Sequence, residues 1–78
     1  MEKAFLRDIK DNIGIRVKGN VYLSYEGDKL YILIIHNIAL FWCRMYTIQE
    51  LEGLVPSQVG RLVKDDYEKF IISQYIKC

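Results

Sequence analysis

The chain has one proline, one histidine and two cysteines among its 78 residues, and its eleven bases nearly cancel its ten acids. Each scarcity excludes something. Cys43 and Cys78 are too few for a disulfide-rich secreted scaffold. With the lone His36 they lack the paired spacing of a Cys/His zinc site, which needs three or four ligands. A formal charge of +1 is not the strong basic excess of a dedicated duplex-DNA binder. No apolar run approaches the ~20 residues that span a bilayer. The opening MEKAFLRDIKDN is charged every few residues, unlike a signal peptide. Neither G-x-x-x-x-G-K-S/T nor G-x-G-x-x-G occurs, so no phosphate-cradling loop is expected. These absences predict a cytoplasmic chain with reduced thiols, no metal or cofactor, and no catalytic residues.

What is present is the composition of a folded domain: 51% hydrophobic and 27% charged residues, with five glycines. We expect one domain over residues 1–78, small enough to bury only ~60% of its unfolded surface. Phe5, Leu6, Ile9 and Ile13 recur at helical spacing with Arg7, Lys10 and Asp11 opposite, predicting a helix from Lys3 to Ile13 that Gly14 ends. Four runs have strand character: IRVK (15–18), VYLSYE (21–26), KLYILII (29–35) and ALFWCRMY (39–46). TIQE (47–50) reads as a capping box opening a short helix that Gly53 closes. A final helix is expected from Ser57, its N-cap, to Ile76. Val59, Leu62, Val63, Tyr67 and Phe70 form its apolar face, Ile71 lies at the edge, and Ile72 and Ile76 point away. The predicted class is α+β: an N-terminal helix, a three- to four-stranded antiparallel meander, a short helix and a long C-terminal helix.

Turn chemistry predicts the registers. Gly27-Asp28 suits a two-residue hairpin loop, pairing Glu26 with Lys29, Tyr25 with Leu30, Leu23 with Ile32 and Val21 with Ile34. A short turn from His36 to Ala39 would then set Ile34 opposite Phe41, Ile32 opposite Cys43 and Leu30 opposite Met45. A three-residue loop, Lys18 to Asn20, would add residues 15–18 as a fourth strand, the least secure of the four.

This register leaves a second apolar face: Arg16, Lys18, Tyr22, Ser24, Tyr31, Leu33, Ile35, Leu40, Trp42, Arg44 and Tyr46. Three readings compete for it. A helix of the same chain could cover it. It could be a protein interface, since Trp, Tyr and Arg anchor binding hot spots. Or its aromatics could stack single-stranded bases while Arg16, Lys18 and Arg44 hold phosphates; Leu33, Ile35 and Leu40 fit that chemistry poorly. The partner-binding residues expected are Tyr22, Tyr31, Leu33, Trp42, Arg44 and Tyr46. The bland reading of His36 is a turn residue, and that of Cys43 a small buried hydrophobe. A Cys43 nucleophile with His36 as base would lack a third, orienting group. Asp66 falls beside the apolar face of the last helix, where burial requires a partner such as a tyrosine hydroxyl or an amide.

The segment FLRDIKDNIGIRVKG (5–19) resembles the start of some small phage proteins that inhibit type II-A CRISPR nucleases, which also run from a short amphipathic helix into an antiparallel sheet. The resemblance spans about 15 residues. It implies an anti-CRISPR-like inhibitor, although a near-neutral charge departs from the acidic, DNA-mimicking members. The reading is therefore a small non-catalytic module that binds another protein, such as a host defence nuclease, or itself. The alternative is a single-stranded nucleic-acid binder.

Overall fold

A computed structural model describes residues 3–76, with side chains through Gln74. The element order is α1 (Lys3–Gly14), β1 (Asn20–Glu26), β2 (Lys29–Asn37), β3 (Leu40–Thr47), α2 (Ile48–Leu51) and α3 (Pro56–Ile76). The strands form one antiparallel meander in the order β1-β2-β3. The expected α+β class is therefore the observed one, with three strands. Residues 15–18 are not a fourth. They form a turn that closes α1, where the amides of Arg16 and Val17 both donate to the Ile13 carbonyl. Ile15 points to solvent while Val17 packs partly on the core. Gly14 completes α1 without a positive φ; Gly19 supplies the left-handed residue instead, at φ 131. It must be glycine for a second reason: a Cβ there would lie 2.6 Å from the Ile35 carbonyl oxygen.

The β1–β2 hairpin has the expected register throughout, from Glu26↔Lys29 to Val21↔Ile34. Gly27 takes φ 63 while Asp28 does not have a positive φ, which is the type II′ pattern. The β2–β3 hairpin is one residue away from expectation. Ile34 pairs with Trp42, Ile32 with Arg44 and Leu30 with Tyr46, and the register shifts between Ile35 and Asn37. His36 is the extra residue of that bulge. Asn37 then opens a tight turn, its side-chain oxygen accepting the Ala39 amide at 2.9 Å.

The helices lie on one side of the sheet. The core joins Ile9 and Ile13 of α1, Val21, Leu30, Ile32, Ile34, Trp42 and Tyr46 of the sheet, Leu51 of α2, and Val59, Val63 and Tyr67 of α3. Phe5, Leu6, Leu62, Phe70 and Ile71 pack partly against it, as their spacing predicts. Ile72 is exposed; the side chain of Ile76, and Cys78, lie outside the described residues. Thr47 caps α2 through the Glu50 amide, but the Glu50 carboxylate turns towards Arg44, 3.9 Å away, rather than completing a capping box. In α3 the first residue is Pro56, where its missing N–H costs nothing. The Val55 amide donates to the Gln58 side chain at 3.0 Å, so Val55 rather than Ser57 holds the cap position. Among the described residues, no helix is long and apolar enough to cross a membrane.

α1 and α3 pack against each other through a glycine. Gly60 is buried, and a Cβ there would lie 2.9 Å from both the Cβ and the carbonyl oxygen of Asn12. Gly60→Ala therefore sets two effects against each other. Helix propensity favours alanine by about 1 kcal/mol, whereas overpacking a tight contact costs about 1–3 kcal/mol. Backbone cannot yield as a flexible side chain would, so overpacking should win. Thermal unfolding should show a lower Tm for Gly60→Ala, by ~4–8 °C per kcal/mol lost in a domain of this size. A raised Tm would mean that the helices have room to spare there.

Candidate functional site

Strands bury alternate residues, so a one-residue register step exchanges the two faces of β3. Trp42 and Tyr46 lie on the helix side, at 8% and 0% exposure, and Phe41, Cys43 and Met45 lie on the outer side. Phe41, Cys43 and Met45 are thus not core residues, and Trp42, Arg44 and Tyr46 are not part of the outer face. Of the six residues expected to bind a partner, Tyr22, Tyr31 and Leu33 do share that face. The other three belong to the opposite side.

Trp42, Arg44 and Tyr46 form a clasp onto the helices instead. The Trp42 and Tyr67 rings meet edge to face, 5.9 Å between centroids. The Arg44 guanidinium lies 4.5 Å from the centroid of the Tyr46 ring and donates to Asp66 Oδ2 at 2.5 Å. The Tyr46 hydroxyl donates to the same oxygen at 2.7 Å. This is the tyrosine partner that Asp66 was expected to need. Burial first, and then the hydrogen bond and charge of Asp66, push the Tyr46 phenol well above its usual range, with Arg44 acting the other way. His36 also faces the helices, its Nδ1 lying 2.9 Å from the Tyr67 hydroxyl, which is itself 3.1 Å from the Lys18 carbonyl oxygen. It is thus a bulge residue that reaches into the interior, and it stands on the other side of the sheet from Cys43.

The outer face is built in cross-strand rows: Asn20, Ile35 and Phe41; Tyr22, Leu33 and Cys43; Ser24, Tyr31 and Met45; then Glu26, Lys29 and Thr47. The first three rows hold no charged residue, and the fourth holds one of each sign. Phe41 is 63% exposed, Tyr22 50% and Met45 38%, with Tyr31, Leu33 and Ile35 half-buried between them. Ile38, at the tip of the β2–β3 turn, is fully exposed beside Phe41. Leu33, Ile35, Asn37, Ile38 and Phe41 surround a shallow depression of about 330 Å³. Among the described residues no helix covers this side: the buried residues of each helix belong to the cluster on the other side.

The cations invoked for phosphate binding lie elsewhere. Arg44 is held by Asp66. Arg16 sits in the turn after α1, donating to the main-chain and side-chain oxygens of Asn12. Lys18 lies in the same loop, outside the sheet. Among the described residues no three His, Cys, Asp or Glu side chains converge to hold a metal ion. Comparison with known protein families, with curated proteins and with solved structures gave no match.

Two neighbouring residues test this assignment of faces. Trp42→Ala should cost about 3–5 kcal/mol, as large buried aromatics do. Phe41→Ala should cost less than about 1 kcal/mol, because the ring packs on little. Urea midpoints at unchanged m-value would read both; a larger loss for Phe41 would reverse the faces. The clasp predicts an alkaline effect as well. An unfolded tyrosine releases its proton near pH ~10, whereas folded Tyr46 retains it. The unfolded state then binds fewer protons, so stability falls as pH rises above ~10. Tyr46→Phe should make that fall shallower in melts above this pH, and equal slopes would show that Tyr46 ionises freely in the folded protein.

Proposed function

We propose that this chain is a small, non-catalytic, cytoplasmic protein-binding module that recognises its partner through the open face of the sheet. The observation that carries the reading is the composition of that face: three rows without a charge, apolar or aromatic except for Asn20 and Ser24, and uncovered by any described helix side chain. Contiguous apolar patches of this kind are rare on monomers unless they bind something. Tyr22, Tyr31, Leu33, Phe41 and Met45 supply the contact surface, and the exposed Ile38 extends it. The placement of charge favours a protein over nucleic acid. Base stacking needs cations on the same face to hold phosphates, but Arg44 is held by Asp66 on the other side, Arg16 is held by Asn12, Lys18 lies outside the sheet, and the four rows contain one cation, Lys29, paired with Glu26.

The resemblance of residues 5–19 supplies a narrower partner class, a type II-A CRISPR nuclease, with the chain as a phage or mobile-element inhibitor. Its near-neutral charge fits an inhibitor that blocks an apolar surface rather than one that imitates DNA. The test uses wild type beside Phe41→Asp, which alters an exposed residue and should remain folded by circular dichroism. Wild type should inhibit target cleavage by the nuclease, and Phe41→Asp should lose that inhibition. Uninhibited cleavage would refute the nuclease as partner. Equal inhibition by both proteins would refute the face as the binding surface. Salt-sensitive binding of a short single-stranded oligonucleotide, absent here by expectation, would favour the nucleic-acid reading.

A further inference from the structure

Resting on the reading of the open face as a binding surface, we infer that in the absence of another partner it is occupied by a second copy of this chain, docked sheet to sheet about a two-fold axis that runs across the strands. Three features of the face argue for it.

The first is size. Tyr22, Phe41, Met45 and Ile38 with the half-buried Tyr31, Leu33 and Ile35 expose on the order of 600 Å², taking ~200 Å² for a large side chain in the open. That stands at the upper end of the ~300–600 Å² that a typical monomer's largest patch exposes, and approaches the ~800 Å² each partner gives to a standard interface. The second is charge. A two-fold interface brings the same patch from both molecules together, so any charge near its centre meets its own copy. This patch has none in its three central rows. The third is architecture. One side of the sheet already carries helices, and a second sheet packs on a flat apolar face at ~10 Å, with strands crossing at about −30°.

The position of Lys29 selects the orientation. An axis parallel to the strands through β2 would set Lys29 opposite Lys29 of the second copy, across only the ~10 Å between the sheets. An axis across the strands, through the row of Tyr22, Leu33 and Cys43, inverts the rows. The two Lys29 residues then stand about 27 Å apart, since each row step is two residues of ~3.4 Å. Leu33 meets Leu33 of the second copy at the centre. Met45 meets Phe41 of the second copy, where the depression beside Phe41 can take its flexible thioether. Cys43 comes opposite Cys43 of the second copy at the spacing of packed sheets, too far for a disulfide but within reach of a bis-maleimide spanning roughly 10 Å.

Sedimentation of the full chain over a concentration series should show a doubled mass at high concentration. Leu33→Glu, which puts two carboxylates face to face on the axis, should return it to monomer with circular dichroism unchanged. Should Leu33→Glu unfold, Phe41→Arg serves in its place, because Phe41 is mostly exposed. In a Cys78→Ser background the bis-maleimide should link Cys43 to Cys43 in wild type and not in the variant. A monomer at every concentration would overturn self-association while leaving the binding-module reading to the nuclease assay. A dimer that survives both substitutions, or one that does not cross-link, would also overturn the proposed packing.

Discussion

The extra residue at His36 decides which side of β3 faces the helices. Without it the hairpin would close in a different register, and every side chain from Phe41 to Tyr46 would change sides. Two contacts hold the step in place. His36 turns inwards to the Tyr67 hydroxyl, and Asn37 receives the Ala39 amide. Tyr67 also reaches Lys18 in the turn after α1, so one α3 residue ties the bulge to the α1–β1 turn. The rest of the architecture follows from that register: a helix-covered face that includes an arginine, and an uncovered face that has no charge in its three central rows.

An arginine on the helix side of the sheet must keep its charge either answered or in contact with water. Arg44 is answered by Asp66, remains partly exposed, and covers the Tyr46 ring. The Tyr46 hydroxyl in turn donates a hydrogen bond to Asp66, and no described side-chain polar atom is buried without a partner. The clasp therefore lets β3 turn its two largest aromatics inwards while keeping polar atoms satisfied. What remains for the outer side is Phe41, Cys43 and Met45, and on this fold nothing from the chain's helices shields them.

Much of this was legible in the sequence. Helical spacing marked Ile9, Ile13, Val59, Val63 and Tyr67, and the Gly27-Asp28 turn set the first hairpin correctly. The second hairpin failed for a physical reason. A bulge has no sequence signature as plain as a glycine turn, and the apolar set Phe41, Cys43 and Met45 looks more like core than one containing Arg44. The corrective signal lay far along the chain. Asp66, beside the apolar face of a helix, needs a donor, and Arg44 and Tyr46 at i and i+2 of one strand supply two. Pairing that need with β3 would have turned the strand over and moved Trp42 from the binding surface to the core. The missing alternation in β2 was informative in both registers, because Tyr31, Leu33 and Ile35 stay on the outer side in either.

The functional reading depends on the outer face being the one that carries Phe41, Cys43 and Met45. Cys43 reports this directly, since its thiol is exposed in the structure and would be enclosed by helices in the alternative register. The decisive measurement is the rate at which Cys43 is labelled by a thiol reagent in dilute, natively folded Cys78→Ser protein, compared with the same protein in urea. Labelling at a rate within about tenfold of the unfolded chain, and insensitive to added stabilising osmolyte, is the predicted result. Labelling slowed by orders of magnitude and limited by global unfolding would place Cys43 in the core and contradict the account.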